Sequence, residues 1–313
     1  MTLPRLQLSV IGDEIGPTLD EMISFAHEHG LKHLDMRSVG GRNLLGMKTE
    51  EVIDISRTLE KAGLNVAAFV SPAFKWQAKG KNAISNKVDF AFDPSQCPEK
   101  DWASHAMQIA VILGAPHMRI FSYLRFDGFR PPHLHRLTTD LPKLEGLAAH
   151  YDITLQLENE PVCNIGTIAE LAEYFRWIKV VRERAKLAQE EEEQFEKRDD
   201  SRPDPVYLRP LIDIANAWSA GERPPSDEDI ALLAPLTTAI HLKDRDLASG
   251  RTVPFGDGDI PWADELRRLL SQVEEKEVLA SIETHCPDDG RNATARSIAG
   301  LRRIAAEIGV EIV

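Results

Sequence analysis

The chain has 313 residues, a formal net charge of −13 and three widely spaced cysteines with no CxxC pair. The length suits one α/β barrel as well as two smaller domains, and the acidic balance argues against a nucleic-acid partner, whose phosphates attract basic surfaces. The cysteine spacing excludes zinc-knuckle and disulfide frameworks, and the lack of a signal-peptide pattern or of an apolar run of about 18 residues predicts a cytoplasmic protein without a membrane segment.

Apolar strand-like segments alternate with amphipathic helical segments along the whole chain. The strands are nearly continuously apolar, which is typical of a parallel sheet covered on both faces, and the alternation indicates βαβ units. No GxGxxG follows the first strand, so eight units favour a closed (β/α)8 TIM barrel over an open dinucleotide-binding sheet. The predicted strands cover residues 6–11, 32–37, 64–70, 117–121, 153–158, 208–214, 237–242 and 277–283.

Capping residues and prolines mark the helices. Thr18 and Glu21 form a capping box at the start of the first helix, and Thr49 is predicted to cap the second. Pro142 is predicted to bend or split the fourth helix. The predicted helices begin after Thr18 and at residues 49, 99, 133, 167, 226, 261 and 292.

Two irregular segments interrupt this pattern. The long loop at 71–96 carries Trp76, Lys79 and Lys81, which are predicted to reach over the mouth of a pocket, as functional lids do. The fifth helix runs into a charged, proline-closed segment at about 186–206. We interpret this segment as an insertion, a solvated helix end or a loop, in a single domain that covers residues 1–313. A partner-binding role for the insertion is the alternative.

Four consecutive predicted strands end in side chains that bind metal ions. Glu158 ends the fifth strand, Asp213 the sixth, His241 the seventh and Glu283 the eighth. Active sites of eightfold barrels form at the carboxyl ends of the strands, so these side chains are expected to meet there. One such acid is usually an ordinary loop residue, but a cluster of them would repel without a cation. Three carboxylates and one imidazole suit a single divalent ion, with Mn²⁺ favoured and Mg²⁺, Co²⁺ or Zn²⁺ as alternatives.

Other polar side chains near the strand ends are candidates for substrate binding. Lys243 is a hydrogen-bond donor for a substrate oxygen, with an ordinary surface lysine as the alternative. Arg119 lies inside the fourth strand, where a buried guanidinium needs a partner such as Glu158 or Asp35. His285 follows the last proposed ligand by two positions and is expected near the pocket.

Several motifs follow one another in a fixed order along the chain. They are Leu157-Glu158-Asn159, Asp213 in an apolar strand, His241-Leu242-Lys243-Asp244, Gly256-Asp257-Gly258 before Pro261-Trp262, and Ile282-Glu283. Together they resemble the xylose isomerase-like TIM-barrel family, which includes sugar phosphate isomerases and epimerases of the tagatose 3-epimerase type. The resemblance covers about residues 6 to 306 except the insertion. It implies that Glu158, Asp213, His241 and Glu283 bind one metal ion.

The resemblance also implies an activity. In the epimerases the two glutamates, here Glu158 and Glu283, are the acid/base pair on opposite sides of the sugar carbon. The implied function is a metal-dependent isomerase or epimerase that transfers a proton next to the carbonyl of a carbohydrate substrate, through an enediolate. Relatives are often dimers or tetramers, so the resemblance implies a homo-oligomer that the residues themselves do not indicate.

The sequence departs from the family pattern at two positions. Glu160 stands where many relatives have histidine, and Asn216 stands where many epimerases have histidine three residues after the strand-six aspartate. Both positions usually face substrate, so an unusual substrate is implied. A surface acid beside Pro161 is the alternative for Glu160. Asp35 matches a family acid that contacts substrate or orders the rim.

Three other functions compete with the isomerase. A lyase or dehydratase acting on a keto-sugar or keto-inositol would use the same metal site and the same first proton abstraction. An endonuclease IV-like repair enzyme would need additional histidines at the ends of strands three and four, where this chain has Val70-Ser71 and Phe121-Ser122. The third alternative is a barrel that binds a ligand without catalysing a reaction. Metal analysis that finds no bound cation would favour it.

Overall fold

A parallel barrel forms the centre of the molecule. The computed structural model describes residues 3–85, 88, 90–193 and 207–313. Eight strands form one sheet in which β2 to β8 lie in chain order and β1 pairs with β8. The two ends of the sheet meet at a parallel bridge between Ile11 and Asp35. The strands are β1 (Arg5–Val10), β2 (His33–Met36), β3 (Asn65–Phe69), β4 (His117–Ile120), β5 (Thr154–Glu158), β6 (Leu208–Asp213), β7 (Ala239–Leu242) and β8 (Glu277–Ile282).

Helices follow the strands and cover the outside of this nearly closed barrel, which confirms the predicted (β/α)8 fold. The α-helices are α1 (Gly12–Ile15), α2 (Leu19–His29), α3 (Thr49–Lys61), α4 (Trp102–Leu113), α5 (Leu134–Leu137), α6 (Asp140–Tyr151), α7 (Ile168–Glu193), α8 (Ile214–Ser219), α9 (Asp227–Leu233), α10 (Trp262–Leu270) and α11 (Gly290–Ile308). Short 3₁₀ turns lie at Leu44–Gly46, Pro94–Gln96, Pro131–His133 and Ala234–Leu236. Two small hairpins pair Ser38–Val39 with Arg42–Asn43, and Asp244–Asp246 with Arg251–Val253.

Alternation along the strands directs selected side chains into the barrel. Successive side chains of a strand point to opposite faces, so residues two apart share one face. Leu211, Ala239 and Leu279 belong to a small buried apolar cluster contributed by several barrel strands. The residues two or four positions further along these strands are three of the four predicted metal ligands, Asp213, His241 and Glu283. The ligands therefore lie above an apolar plug, at the carboxyl end of the barrel.

Both ends of α2, the first helix predicted from the sequence, are set by local signals as predicted. Thr18 and Glu21 make both hydrogen bonds of the capping box before α2, and Gly30 ends that helix with φ of 66°. A left-handed residue at this place satisfies the last carbonyls of the helix, and glycine adopts it without steric cost. Sequence pattern and structure agree at this helix because both caps are local.

Other helix boundaries differ from the prediction. Thr49 is the first residue of α3 rather than its cap, since the capping position falls on Lys48. Helix α4 begins at Trp102, because the carboxylate of Asp101 accepts a hydrogen bond from the amide of Ser104. The segment at 133–150 is split into α5 and α6, which is one of the two outcomes predicted for Pro142. That proline lies in the first turn of α6, where a missing amide hydrogen costs nothing. The last helix begins at Gly290, slightly before the predicted start.

Trp76 in the loop after β3 does not take its predicted position. The ring of Trp76 packs 4.9 Å from that of Trp102 on α4 instead of over a pocket mouth, and Lys79 is exposed. Helix α7 has 26 residues and ends at Glu193, so most of the predicted insertion at about 186–206 lies outside the described residues. Within the described part of the chain, no helix has the length and apolar content needed to cross a membrane.

Candidate metal centre

Four side chains from consecutive strands meet at the carboxyl end of the barrel. Glu158 ends β5, Asp213 ends β6, His241 lies in β7, and Glu283 directly follows β8. Each offers one ligand atom, and these atoms all lie within 4.8 Å of one another. Nδ1 of His241 is 3.2 Å from Oε1 of Glu158 and 3.3 Å from Oε2 of Glu283. All four are almost completely buried. The strand order thus brings together residues that are up to 125 positions apart.

Two asparagines fix the backbone and side chains of this group. Asn159 accepts from the amide of Asp213 and donates to its carbonyl, each at 2.9 Å, which ties the ends of β5 and β6 together. Asp213 caps α8 by accepting a 2.7 Å hydrogen bond from the amide of Asn216. The side-chain amide of Asn216 donates to Oε1 of Glu158 at 3.3 Å. Asn216, predicted to bind substrate, therefore braces one of the carboxylates.

Buried cations surround the carboxylates. Nη1 of Arg119 lies 3.2 Å from Oε2 of Glu158 and 3.4 Å from Oε1 of Glu283. Nζ of Lys243 lies 2.7 Å from Oδ2 of Asp213 and 2.6 Å from Oε2 of Glu283. Arg119 thus has the predicted partner Glu158, and Lys243 is a buried residue rather than a surface lysine.

These neighbours decide the charge state of the two glutamates. Burial opposes ionisation of Glu158, but His241 and Arg119 outweigh it and lower its pKa to about 2. Burial also opposes ionisation of Glu283, yet Lys243 and the neighbouring imidazoles hold its pKa well below the ordinary value. Burial alone would lower the pKa of His241, but the two glutamates raise it to about 10. Both glutamates are therefore anionic at neutral pH.

Two features of the four side chains fit a divalent ion. One is the chemistry of their donor atoms, and the other is that two of their carboxylate oxygens accept no hydrogen bond. Oε2 of Glu158 and Oδ2 of Asp213 are sealed from solvent and accept no hydrogen bond of normal geometry, although Arg119 and Lys243 lie near them. Burial raises the pKa of Asp213, with Lys243 acting in the opposite direction. Buried carboxylate oxygens without full hydrogen bonding are costly unless a cation satisfies them. The donors are hard oxygens and one imidazole nitrogen, as Mn²⁺, Mg²⁺, Co²⁺ and Zn²⁺ accept.

A second group of charged residues lies beside the first, and sequence reasoning missed most of it. Arg37, which follows β2, contacts Glu14 at 2.8 Å and approaches Oε1 of Glu283 to 3.6 Å. Glu14 accepts from the hydroxyl of Thr284 at 3.0 Å and from the amide of His285 at 2.9 Å. Nε2 of His285 is 3.3 Å from Oε1 of Glu283, so His285 lies beside the group as expected. Arg37 and Glu14 also follow strand ends, and the strand-end rule applied to every charged residue would have found them.

Asp35 lies beneath the group in a buried position at the end of β2. Its Oδ1 accepts a 2.8 Å hydrogen bond from the hydroxyl of Ser9, while its Oδ2 has no hydrogen-bond partner. Burial raises the pKa of Asp35 to about 6, despite hydrogen bonds from Ser281 and Ser9 and the field of His241. No ion pair joins Asp35 to Arg119 in the described part of the chain. Of the two partners suggested for Arg119, the structure shows Glu158.

Glu160 is a buried member of the barrel end rather than a surface acid. Its carboxylate, in a residue only 9% exposed, forms a 3.1 Å ion pair with Lys75 from the long loop after β3. The ammonium of Lys75 also lies 4.9 Å from the centre of the Phe121 ring. Lys75 carried no signal in the sequence, because nothing in a loop of this length indicates which residue turns inward.

Solved structures with the same architecture identify the fold. An IolI protein with a bound zinc atom superimposes with a TM-score of 0.67 over 97% of this chain and 99% of that chain, at 13% identity. The chain has the fold of the xylose isomerase-like TIM barrels. A xylose isomerase-like TIM-barrel protein from Mycobacterium smegmatis in complex with magnesium also matches, with a TM-score of 0.59, 14% identity and 98% coverage of both chains.

Xylose isomerase-like neighbours with named reactions span more than one chemistry. The 3-keto-D-glucoside 4-epimerase YcjR from Escherichia coli matches with a TM-score of 0.60 and 13% identity, over 96% of this chain and 100% of that chain. The probable 3-DHS dehydratase AsbF from Bacillus anthracis matches with a TM-score of 0.61 and 14% identity, over 94% and 99%. No family model and no curated protein sequence matches the chain. Identities this low establish the fold and leave the reaction open.

Proposed function

We propose that this protein is a divalent-metal-dependent isomerase or epimerase that moves a proton next to the carbonyl of a keto-sugar or related polyol. The observation that carries the proposal is the convergence of Glu158, Asp213, His241 and Glu283, whose ligand atoms lie within 4.8 Å of one another at the buried end of the barrel. Epimerase and zinc- or magnesium-containing neighbours on the same fold support it.

The same four residues would hold the metal ion. When bound, a divalent cation supplies Lewis-acid polarisation of a carbonyl oxygen and a counter-charge for the electrons left when a neighbouring C–H bond breaks. Asn159 and Asn216 keep two of the carboxylates oriented through the hydrogen bonds described above. Mn²⁺ remains the favoured ion on the donor set, and Mg²⁺, Co²⁺ and Zn²⁺ fit it too.

Glu158 and Glu283 are proposed to move the proton. Both are ionised at neutral pH, which is the state a general base requires. They come from β5 and from the end of β8, and each has one oxygen near Nδ1 of His241. One glutamate would remove the proton from the substrate carbon. The other would first take up a proton from a substrate hydroxyl or from water and then deliver it to the carbon, so that the proton count balances. Arg119 and Lys243 contact these carboxylates, and in this proposal they also donate to substrate oxygens.

A lyase is the second candidate, and the dehydratase among the structural neighbours favours it. Elimination of water β to a carbonyl begins with the same proton abstraction, so the same residues would start both reactions. The substrate's next bond then decides the outcome. Keto-sugars and keto-inositols have a hydroxyl at the β carbon in either case. Water would be lost if that hydroxyl received a proton as its C–O bond broke, and the substrate would be epimerised if the carbon were reprotonated first.

Metal analysis and product mass test the proposal together. The purified protein is analysed for bound metal, treated with EDTA, reloaded with Mn²⁺ and incubated with a panel of keto-sugars and keto-inositols. A product of unchanged mass that depends on the ion supports the isomerase, and a product lighter by one water supports the lyase. A protein that binds no divalent ion, and whose thermal stability does not respond to EDTA, contradicts both.

A further inference from the structure

A second cavity lies beside the candidate metal centre. It has a volume of about 550 Å³ and lies between the hairpin Asp244–Asp246/Arg251–Val253, the segment 285–289 after β8 and the start of α11. Cys286 donates from its thiol toward the carbonyl of Thr252 at 3.8 Å, which joins two of these walls. Pockets for small organic ligands span about 300–1,000 Å³, so the cavity has room for a ligand group of its own.

His285 belongs to both the cavity and the centre. It lines the cavity, and its Nε2 lies 3.3 Å from Oε1 of Glu283. Its backbone has φ of 47°, a left-handed conformation that a residue with a side chain seldom adopts. The left-handed backbone places the imidazole beside Glu283 and in the cavity wall, where the Phe90 ring packs against it at 5.5 Å. A molecule whose reacting carbon lies at Glu283 would therefore extend toward the cavity along His285.

The cavity lining has ionised groups of both signs. Arg251 is exposed and forms no ion pair in the described part of the chain, while Arg296 pairs with Asp257 at 2.6 Å. Asp246, whose pKa is lowered mainly by backbone hydrogen bonds from the following turn, faces the same space, together with Asp288. The aspartates would repel an isolated phosphate, and the arginines would repel an amine.

An uncharged group with many hydroxyls can hydrogen-bond to both the carboxylates and the guanidinium groups of the cavity lining. Hydroxyls donate to carboxylates and accept from guanidinium groups, so neither sign is left unpaired. Val253, Pro254 and Pro287 also line the cavity and offer apolar surface to the C–H face of a ring. The cations at the centre itself are already paired with carboxylates, as Lys243 and Arg119 show. This charge pattern favours a neutral ligand on both sides of His285.

We propose that the cavity binds a second sugar unit, so that the substrate of the proposed reaction is a glycoside or disaccharide rather than a free or phosphorylated monosaccharide. The inference rests on the proposed function for the identity of the reacting end. The binding of the distal sugar is a separate property of Arg251, Asp288 and the apolar wall, and can be measured without turnover.

Calorimetry on the Mn²⁺-loaded protein tests the binding directly. The probes are glucose, the disaccharides cellobiose, maltose and trehalose, glucose 6-phosphate and inorganic phosphate. At least one disaccharide should bind about tenfold or more tightly than glucose. That preference should fall to about twofold or less in Arg251→Ala and in Asp288→Ala. The control Arg57→Ala, at an exposed position on α3 with 68% of its side chain accessible, should keep it.

Three results would overturn the inference. All disaccharides binding no better than glucose would remove the sugar subsite, and tighter binding of either phosphate compound would make the cavity an anion site. A disaccharide preference that survives both cavity variants would place the subsite elsewhere. Turnover separates this inference from the proposed function: ion-dependent conversion of free keto-sugars without any preference for keto-disaccharides defeats the subsite alone, whereas the absence of bound metal and of conversion defeats the function.

Discussion

The ammonium of Lys243 lies 2.6 Å from Oε2 of Glu283, inside a cluster that also holds Asp213 at 2.7 Å. Lys243 is therefore the internal counter-ion of two proposed metal ligands. Burial opposes its charge, but Asp213 and Glu283 outweigh that effect and raise the pKa of Lys243 above its ordinary value. A fixed positive charge at this place stabilises the carboxylates and also reduces the attraction they offer to a metal ion.

Replacement of Lys243 by methionine should separate these two effects. Removing one partner of a buried ion pair costs about 3–5 kcal/mol of the free energy of unfolding, so the metal-free variant should be markedly less stable than the wild type. Mn²⁺ should then bind more tightly, because the ligands have lost their competing cation. Thermal unfolding with EDTA and with Mn²⁺, together with calorimetry, measures both. A variant with weaker Mn²⁺ binding would mean that Lys243 orients the ligands more than it competes.

Replacement of Glu283 by glutamine should nearly abolish turnover while leaving the barrel folded. The amide cannot accept a proton, and general acid–base groups contribute about 10²–10⁴-fold to rates. The loss should appear in kcat, measured at saturating Mn²⁺ and substrate. Glu277→Gln is a matched control at the other end of β8, where the carboxylate forms an exposed ion pair with Arg5. Full activity in the Glu283 variant would remove it from the acid/base pair.

The Lys75–Glu160 pair should be strongly coupled, because both members are buried. Lys75→Met leaves a buried carboxylate without its partner and should cost about 3–5 kcal/mol. Adding Glu160→Gln should recover much of that loss, giving a coupling energy of about 1–3 kcal/mol in a double-mutant cycle. The exposed pair Arg5–Glu277 is the control and should couple by at most about 1 kcal/mol. Equal coupling in the two pairs would mean that burial of Glu160 has no energetic role.

Asp35 should make stability fall as pH rises, in the metal-free protein. Its pKa is about 6 when folded and 3.8 as the reference value. Between pH 3.8 and pH 6 the folded state therefore binds more protons than the unfolded state. The free energy of unfolding is highest below pH 3.8 and falls as pH rises through 6. The full effect is on the order of 3 kcal/mol. Asp35→Asn removes the titration, so its stability relative to wild type should increase between pH 5 and pH 7 in urea unfolding with EDTA. A difference that stays constant over this range would contradict the assignment.

The barrel and the four meeting side chains were predictable from sequence because each depends on local rules. A mostly buried strand that ends in an acid, as β5 does at Glu158 and β6 at Asp213, shows where the strand ends. The carboxyl ends of parallel strands then lie together by topology alone. The metal and catalytic roles of these residues remain predictions, which the experiments above address.

The partners of these residues were less predictable because they depend on the path of the loops. Lys75 reaches Glu160 across 85 positions of sequence, and no spacing rule indicates that contact. Asn216 braces Glu158 only because α8 begins directly at Asp213. The sequence predicted a bend or a split at Pro142, and the structure shows the split; its position before Asp140 was not predictable, since proline is compatible with the first turn of a helix.

The junction between β1 and β2 joins the barrel through a single parallel bridge, Ile11 to Asp35, in the described residues. Arg37 crosses that junction above the bridge, with Asp13 at 3.0 Å on one side and Glu283 within 3.6 Å. Separation of the two strands would therefore also pull this guanidinium away from Glu283, the proposed acid/base carboxylate. Opening of the β1–β2 pair and loss of the Arg37–Glu283 contact would then occur together. A ligand that fills the barrel end should therefore slow amide exchange in β1 and β2.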